Sequence, residues 1–287
     1  MKIIDAHMHI SNIQSFKQTA ETLSFVDYSI GGLQKEYEEA GVVAAVAMGV
    51  TETKPGGFPD SEAETPMGID LDGPVPKEFF YCPGINPNKL NNQNLLLLEK
   101  SLQNPQTAGI KIYLGYYPYY AYDKVYGPIY ELAKAYRLPV VFHTGDTYSE
   151  RGLLKYSHPL TLDEVAVENR DIQFMMAHLG DPWVLDGAEV VNKNDNMFAD
   201  LSGLIVGTEK DISDKKKTRF FDHLMHALSY GEHYEKLIFG TDWPLMGVKP
   251  FIDLYKEIIP EEHHENFFYK NALTLFPKLN TVLKEDS

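Results

Sequence analysis

Cysteine is almost absent from this chain. Cys82 is the only one among 287 residues, so no intrachain disulfide can staple the fold, which fits a reducing compartment. Its place in the run Phe79-Phe80-Tyr81-Cys82 reads as a small buried strand side chain rather than a nucleophile. Long apolar runs are missing too, and none reaches the length needed to cross a bilayer. The first residues carry one lysine and then strand-like alternation, without the apolar core and small-residue cleavage site of a signal peptide. A cytoplasmic enzyme is the expectation. Positive charge is scarce: 26 basic residues face 41 acidic ones, for a net charge of −15. Such a surface repels phosphate backbones, so nucleic acid is not an expected partner, and the lack of a bilayer-length apolar run argues against a membrane. An anionic small molecule stays open, because a bound divalent cation inverts the local field. Internal repeats, low-complexity tracts and linkers are also absent.

What is present is an alternation of strand and helix patterns. Hydrophobic residues make up 44% and charged residues 23%, ordinary for a chain that buries a sizeable core. Strands are predicted over residues 2–10, 42–48, 79–85, 109–114, 140–143, 172–178, 197–202 and 237–242. Helices are predicted over 33–40, closed by Gly41, and over 90–102, 125–136, 161–169, 186–192 and 215–230, with mostly helix from Phe251. Thr161 and Glu164 are spaced for a capping box. Residues 51–77 are rich in Pro, Gly, Asp and Glu and read as a long surface loop. Eight strands with helical connections imply one α/β domain over 1–287, a (β/α)₈ TIM barrel. An open doubly wound sheet would want a Gly-rich phosphate turn after the first strand, and histidines stand there instead.

Five polar residues end these apolar runs: His7, His9, His143, His178 and Asp242. In a barrel, the C-terminal strand ends carry the active site. His7 and His9 are two apart, so strand alternation points both imidazoles one way, half of a tetrahedral metal site. His143 is the best remaining imidazole ligand, although alone it reads as a core histidine. His178 suits either a ligand or a general acid/base. Asp242 suits a ligand and a proton acceptor from bound water, or an N-cap before Pro244. Lys111 is a charge inside Gly109-Ile110-Lys111-Ile112. Three roles are open to it: binding a substrate carboxylate, bridging two metals once carbamylated, or snorkelling to the barrel mouth. His223, His226, His263 and His264 read as surface or packing residues, and His158 and His233 lie in loops. The tyrosines from Tyr116 to Tyr122 follow the fourth strand and are placed to line a pocket.

Asp5-Ala6-His7-Met8-His9, Gly109-Ile110-Lys111-Ile112, Val141-Phe142-His143-Thr144-Gly145, Ala177-His178-Leu179-Gly180, Gly240-Thr241-Asp242-Trp243-Pro244 and Asn271-Ala272-Leu273-Thr274-Leu275-Phe276 occur in that order. This set resembles the amidohydrolase superfamily. Within it, the closest likeness is to the amidohydrolase-related branch that includes aminocarboxymuconate-semialdehyde decarboxylase and similar decarboxylases and hydrolases. The resemblance implies that His7, His9, His143 and Asp242 hold one divalent metal, usually Zn²⁺. It implies that His178 works beside the metal as acid/base, and that Asn271 to Phe276 is a structural helix. It also matches Lys111 to the position where binuclear members carry a carbamylated lysine, so a second metal stays open.

The leading expectation is a metal-dependent hydrolase cleaving an ester, lactone or amide bond of a small molecule through activated water, with His178 and Asp242 catalytic and Lys111 binding substrate. A non-oxidative metal-dependent decarboxylase of a small carboxylic acid is the second. A non-catalytic barrel that binds a small molecule is the third. A homodimer is compatible with a barrel of this kind.

Overall fold

The computed structural model describes residues 1–283, the side chain of residue 282 apart. Nine short strands run in chain order: β1 (Ile3–Met8), β2 (Val42–Met48), β3 (Phe79–Cys82), β4 (Gly84–Ile85), β5 (Ile110–Ile112), β6 (Val140–Phe142), β7 (Phe174–Met176), β8 (Met197–Asp200) and β9 (Leu237–Ile238). All neighbours pair in parallel, as β1-β2-β3 and as β4 through β9. The two arcs join into one barrel. On one side Ala6 N donates to Phe239 O at 3.0 Å and His9 N to Trp243 O at 2.8 Å; on the other, Ala108 N donates to Tyr81 O at 2.8 Å. β3 and β4 are one barrel strand broken at Pro83, which has no N–H to give the ladder. The expected (β/α)₈ TIM barrel is therefore the fold.

The helices are α1 (Gln14–Thr19), α2 (Ile30–Ala40), α3 (Asn92–Leu102), α4 (Gly127–Tyr136), α5 (Leu162–Glu168), α6 (Val184–Lys193), α7 (Glu209–Lys217), α8 (Asp222–Gly231), α9 (Val248–Ile258), α10 (Asn271–Leu275) and α11 (Leu279–Leu283). Gly41 closes α2 in the left-handed region, φ 76°, with its N–H on Tyr37 O, as the sequence predicts. Two expectations are corrected. The capping box at Thr161 and Glu164 does not form, because Thr161 is already helical and its hydroxyl donates to His158 O instead. The single helix over 215–230 is two, α7 and α8, broken where Arg219 takes φ 59°. α1, immediately after the first strand, has no counterpart in the sequence reading.

The inner face of the barrel is lined by Ile4, Ala6, Val46, Cys82, Val141, Met175, Phe198 and Ile238, and this core continues into Ala272, Leu275 and Phe276. The outer faces of the same strands, Ile110, Ile112, Phe142 and Met176 among them, pack with residues of the surrounding helices. Cys82 is free and buried, and burial pushes its thiol up, as expected for a packing residue. The loop after β2 is long, as expected, and it is tied back to the broken strand. Gly84 N and Met67 O pair at 2.8 Å, and Met67 N and Gly84 O do the same. The gap at Pro83 is thus where the loop docks.

Candidate active site

A cavity of 540 Å³ opens at the C-terminal ends of the strands, and His7, His9, Lys111, His143, His178 and Asp242 all line it. That volume suits a small molecule. The six residues reach it by different local routes. β1 carries a register shift: Asp5 pairs with Ala45 but Met8 with Ala47, so β1 has one extra residue there. Ala6 belongs to the inner core, and His7, next to it, also faces inward. Simple alternation relates His7 to His9, while Asp5, two residues before His7, lies outside the cavity. Asp5 accepts from Thr241 Oγ1 at 2.6 Å and Tyr37 Oη at 2.8 Å, which fixes the end of β1 against the segment bearing Asp242. Burial pushes the Asp5 carboxyl up to about 6 against these hydrogen bonds.

His7, His9 and Asp242 meet as a candidate metal group, one ligand atom from each lying within 4.8 Å of the others. Asp242 Oδ1 is 3.0 Å from His9 Nε2 and 3.6 Å from His7 Nε2. Bonds of 2.0–2.2 Å to a tetrahedral ion would place neighbouring ligand atoms about 3.4 Å apart. The observed spacings bracket that value. For all its closeness to the two imidazoles, Asp242 Oδ1 makes no well-directed hydrogen bond, and His9 Nδ1 is buried without a partner among the described residues, a state that a cation would relieve at the carboxylate. Asp242 is no helix cap, since α9 begins at Val248 after Gly247. Its φ of 56° is unusual for a non-glycine residue. Burial alone would raise its carboxyl, but His9, His7 and His178 outweigh that and hold it well below the usual range. Burial lowers His7 to about 4, so the ring is neutral and a lone pair is available to an ion.

Asp200 was missed in the sequence, yet it joins the two halves of the site. His7 Nδ1 donates to Asp200 Oδ2 at 2.8 Å, which leaves Nε2 facing Asp242. The other oxygen, Oδ1, accepts from His178 N at 3.0 Å and from the Ser202 hydroxyl at 2.5 Å. His178 Nδ1 in turn donates to Ser202 O at 2.9 Å, leaving its Nε2 free for chemistry. The available signal was an apolar run ending in a carboxylate, Met197-Phe198-Ala199-Asp200, the pattern that singled out Asp242. His178 lies in a turn just past β7 with φ 62°, followed by Leu179 at φ 47°. Left-handed backbone at two consecutive non-glycine residues is strain of the kind found at functional sites. Gly203 is needed beside it: a Cβ there would fall 2.7 Å from both Asp242 Oδ2 and His178 Nδ1.

His143 stands across from His178, ring centroids 5.2 Å apart, outside the three-residue metal group. Its Nε2 donates to Asp146 O at 2.9 Å, so Nδ1 is the nitrogen with a free lone pair. Burial, with His178 and Lys111 nearby, holds it well below its ordinary value and therefore neutral. Lys111 is fully buried on β5, so it does not snorkel to the mouth. Its Nζ has no hydrogen-bond partner among the described residues and lies 5.3 Å from the Tyr113 ring centre. Burial lowers it to about 8, opposed by Asp200 and Asp242.

The walls are aromatic: Phe16, Phe58, Tyr113, Tyr116, Tyr148 and Trp183. Of the tyrosine cluster only Tyr116 reaches the cavity; Tyr117 donates to Asp60 O and Tyr119 to Asn88. Among the remaining histidines, His223 is closer to the site than expected, its Nε2 lying 2.6 Å from Asp181, a wall residue. His158 accepts from Leu160 N and lies outside the cavity lining.

Solved structures share this barrel. An uncharacterized TIM-barrel protein from Bordetella bronchiseptica aligns with TM-score 0.70 at 16% identity, covering 98% of this chain and 100% of that one. A probable 2-pyrone-4,6-dicarboxylic acid hydrolase from Acinetobacter baumannii, with citric acid bound, gives 0.60 at 14%, covering 96% and 100%. A 5-carboxyvanillate decarboxylase from Novosphingobium aromaticivorans, complexed with manganese, gives 0.61 at 11%, covering 96% of each. These likenesses establish the fold alone. No curated protein matches the chain in sequence. The family model described as Amidohydrolase, however, matches residues 4–278, which takes in every residue of the site and every strand but for the first residue of β1. The chain belongs to the amidohydrolase family.

Proposed function

We propose that this protein is a metal-dependent hydrolase that cleaves an ester, lactone or amide bond of a small molecule. The observation that carries the reading is the convergence of His7, His9 and Asp242 on one point, with the free Nε2 of His178 on the same cavity. His7 and His9 through imidazole and Asp242 through carboxylate would hold one divalent ion, with His143 Nδ1 as fourth donor. Mixed imidazole and carboxylate ligands suit Zn²⁺. When bound, such an ion polarises a carbonyl and lowers the pKa of water to about 7. Asp242, held ionised, accepts the proton of the attacking water. The proton that Asp242 takes passes to Nε2 of His178, which delivers it to the leaving group or the developing oxyanion and returns to its starting state with Nδ1–H on Ser202 O. Lys111 receives a substrate carboxylate at the cavity floor, and the aromatic walls seat a flat apolar body and exclude water.

A non-oxidative decarboxylase is the second reading, favoured by the buried Lys111 beside those aromatic walls. There His178 delivers the proton that replaces carbon dioxide. The hydrolase among the structural relatives and the manganese-bound decarboxylase keep both readings and both metals in view. The partner is a small molecule. No described helix is long and apolar enough to cross a membrane, and the net charge of −15 disfavours nucleic acid. A cytoplasmic setting accords with the free, buried Cys82. The test is a panel of lactones, aryl esters and aryl carboxylic acids with zinc- or manganese-loaded protein, scoring acid plus leaving group against carbon dioxide. Carbon dioxide from the acids alone would replace the hydrolase with the decarboxylase. Protein that retains the same metal after His7→Ala/His9→Ala would remove the site.

A further inference from the structure

We infer that Asp200 is a positioning residue that sets the tautomer of His7 and the seat of His178 at once, so one carboxylate couples the metal-holding side of the site to its proton-transferring side. The inference rests on the metal-dependent reading and concerns how this chain prepares its own ligands. Asp200 ends β8 and is fully buried. Four donors converge on it. Oδ2 takes His7 Nδ1 at 2.8 Å. Oδ1 takes His178 N and Ser202 N, each at 3.0 Å, and Ser202 Oγ at 2.5 Å. A carboxylate only accepts, so His7 must carry its proton on Nδ1 and present the Nε2 lone pair toward Asp242. On the other side, Oδ1 ties down the backbone of the left-handed His178 turn and the Ser202 strand end, whose carbonyl holds His178 Nδ1 at 2.9 Å.

Asparagine has nearly the same shape but only one acceptor oxygen. In Asp200→Asn, if that oxygen keeps the three donors of Oδ1, the amide NH₂ faces His7 Nδ1. Two donors cannot share the contact, so the His7 proton moves to Nε2, the nitrogen meant for the ion. If the amide flips, His7 is served, but the NH₂ confronts two backbone N–H groups and the His178 turn loosens. Ser202→Ala separates the two arms, because it removes a hydroxyl that touches Asp200 Oδ1 and, at 2.9 Å, His178 Nδ1, and leaves the His7 contact intact.

The experiment has two readouts. Zn²⁺ affinity is measured by competition with a chromophoric chelator for wild type, Asp200→Asn and Ser202→Ala. Protonated ring nitrogens are read from ¹⁵N-histidine spectra of the metal-free protein, with His7 assigned by its loss in His7→Gln. The expected result is a 10- to 100-fold loss of Zn²⁺ affinity in Asp200→Asn and wild-type affinity in Ser202→Ala. His7 should be protonated on Nδ1 in wild type and on Nε2 in Asp200→Asn. Wild-type Zn²⁺ affinity in a folded Asp200→Asn would overturn the inference. So would a wild-type His7 protonated on Nε2, a readout that stands even if the variant does not fold. Wild-type protein that binds no Zn²⁺ while His7 keeps its Nδ1 proton would instead overturn the metal-dependent reading and leave the positioning role in place.

Discussion

Lys111 is the side chain least explained by stability. It sits at 0% exposure with no hydrogen-bond partner for Nζ. Burial lowers its pKa from 10.5 to about 8. For a base depressed in the folded state, the associated stability is complete above the unfolded pKa and lost as pH falls through the folded one. At pH 7 it is gone, and the native state carries a penalty of about 3 kcal/mol. Lys111→Met is therefore expected to raise the unfolding free energy in urea at pH 7 by up to about 3 kcal/mol, while binding of carboxylate-bearing substrates weakens. A destabilised variant would mean that Lys111 has a stabilising partner. A second expectation concerns His178: with Nδ1–H committed to Ser202 O, Nε2 is the nitrogen that takes up and delivers the reaction's proton. His178→Ala should lower kcat by about 10²- to 10⁴-fold with metal content unchanged, and unchanged turnover would remove His178 from the mechanism. At this scale the sequence was most legible for His7, His9, His143 and His178, which stand at run ends. Asp200 ends such a run as well, but its role and that of Asp5 lie in what they accept from residues far along the chain, which no run pattern displays. His7 is 193 positions from Asp200, and Thr241 is 236 from Asp5.

Among the elements, the loop after β2 reaches the cavity through a single residue, which other loops hold in place. It brings Phe58 to the wall, ring centres 4.9 Å from Tyr116 and 6.2 Å from Tyr113. Arg151, from the loop after β6, holds it by donating to Gly56 O at 3.1 Å and Phe58 O at 2.5 Å. Asn86 grips the same loop through Ser61 O and Ala63 O. Arg151 is itself exposed, so its removal should cost the fold no more than these two hydrogen bonds. Two hydrogen bonds of about 0.5–1.5 kcal/mol each no longer pin Phe58 in Arg151→Ala. KM should rise about 3- to 10-fold with kcat nearly kept, and a kcat loss at constant KM would contradict this placement. The composition of residues 51–77 announced a loop, and periodicity announced the helices. What stayed hidden was set by single backbone groups: the missing N–H of Pro83, the left-handed Arg219 that splits α7 from α8, and the helical Thr161 that cannot cap.

Across the whole molecule, the barrel gathers neutral imidazoles and an uncharged-leaning carboxyl inside one closed sheet, and their opposed titrations set the acid limit of the fold. Burial lowers His7 from 6.5 to about 4 and holds His143 well below 6.5. For these groups the stability is complete above pH 6.5 and lost as pH falls through the folded pKa, about 3 kcal/mol for His7 alone. Asp5 runs the other way. Its pKa is raised from 3.8 to about 6, so its contribution is complete below 3.8 and lost as pH rises through 6. Between pH 6 and 4 acidification thus weakens the fold through two histidines and strengthens it through one aspartate. The net expectation is a falling unfolding free energy from pH 6.5 to 4. Metal should be released over the same window, since protons compete for the imidazoles of His7 and His143. Asp5→Asn removes the opposing titration, so its stability, followed by urea unfolding at half-unit pH steps, should fall more steeply than wild type between pH 6 and 4. A shallower slope in that variant would mean that Asp5 is ionised in the native protein throughout this range and that the hydrogen bonds from Thr241 and Tyr37 outweigh its burial.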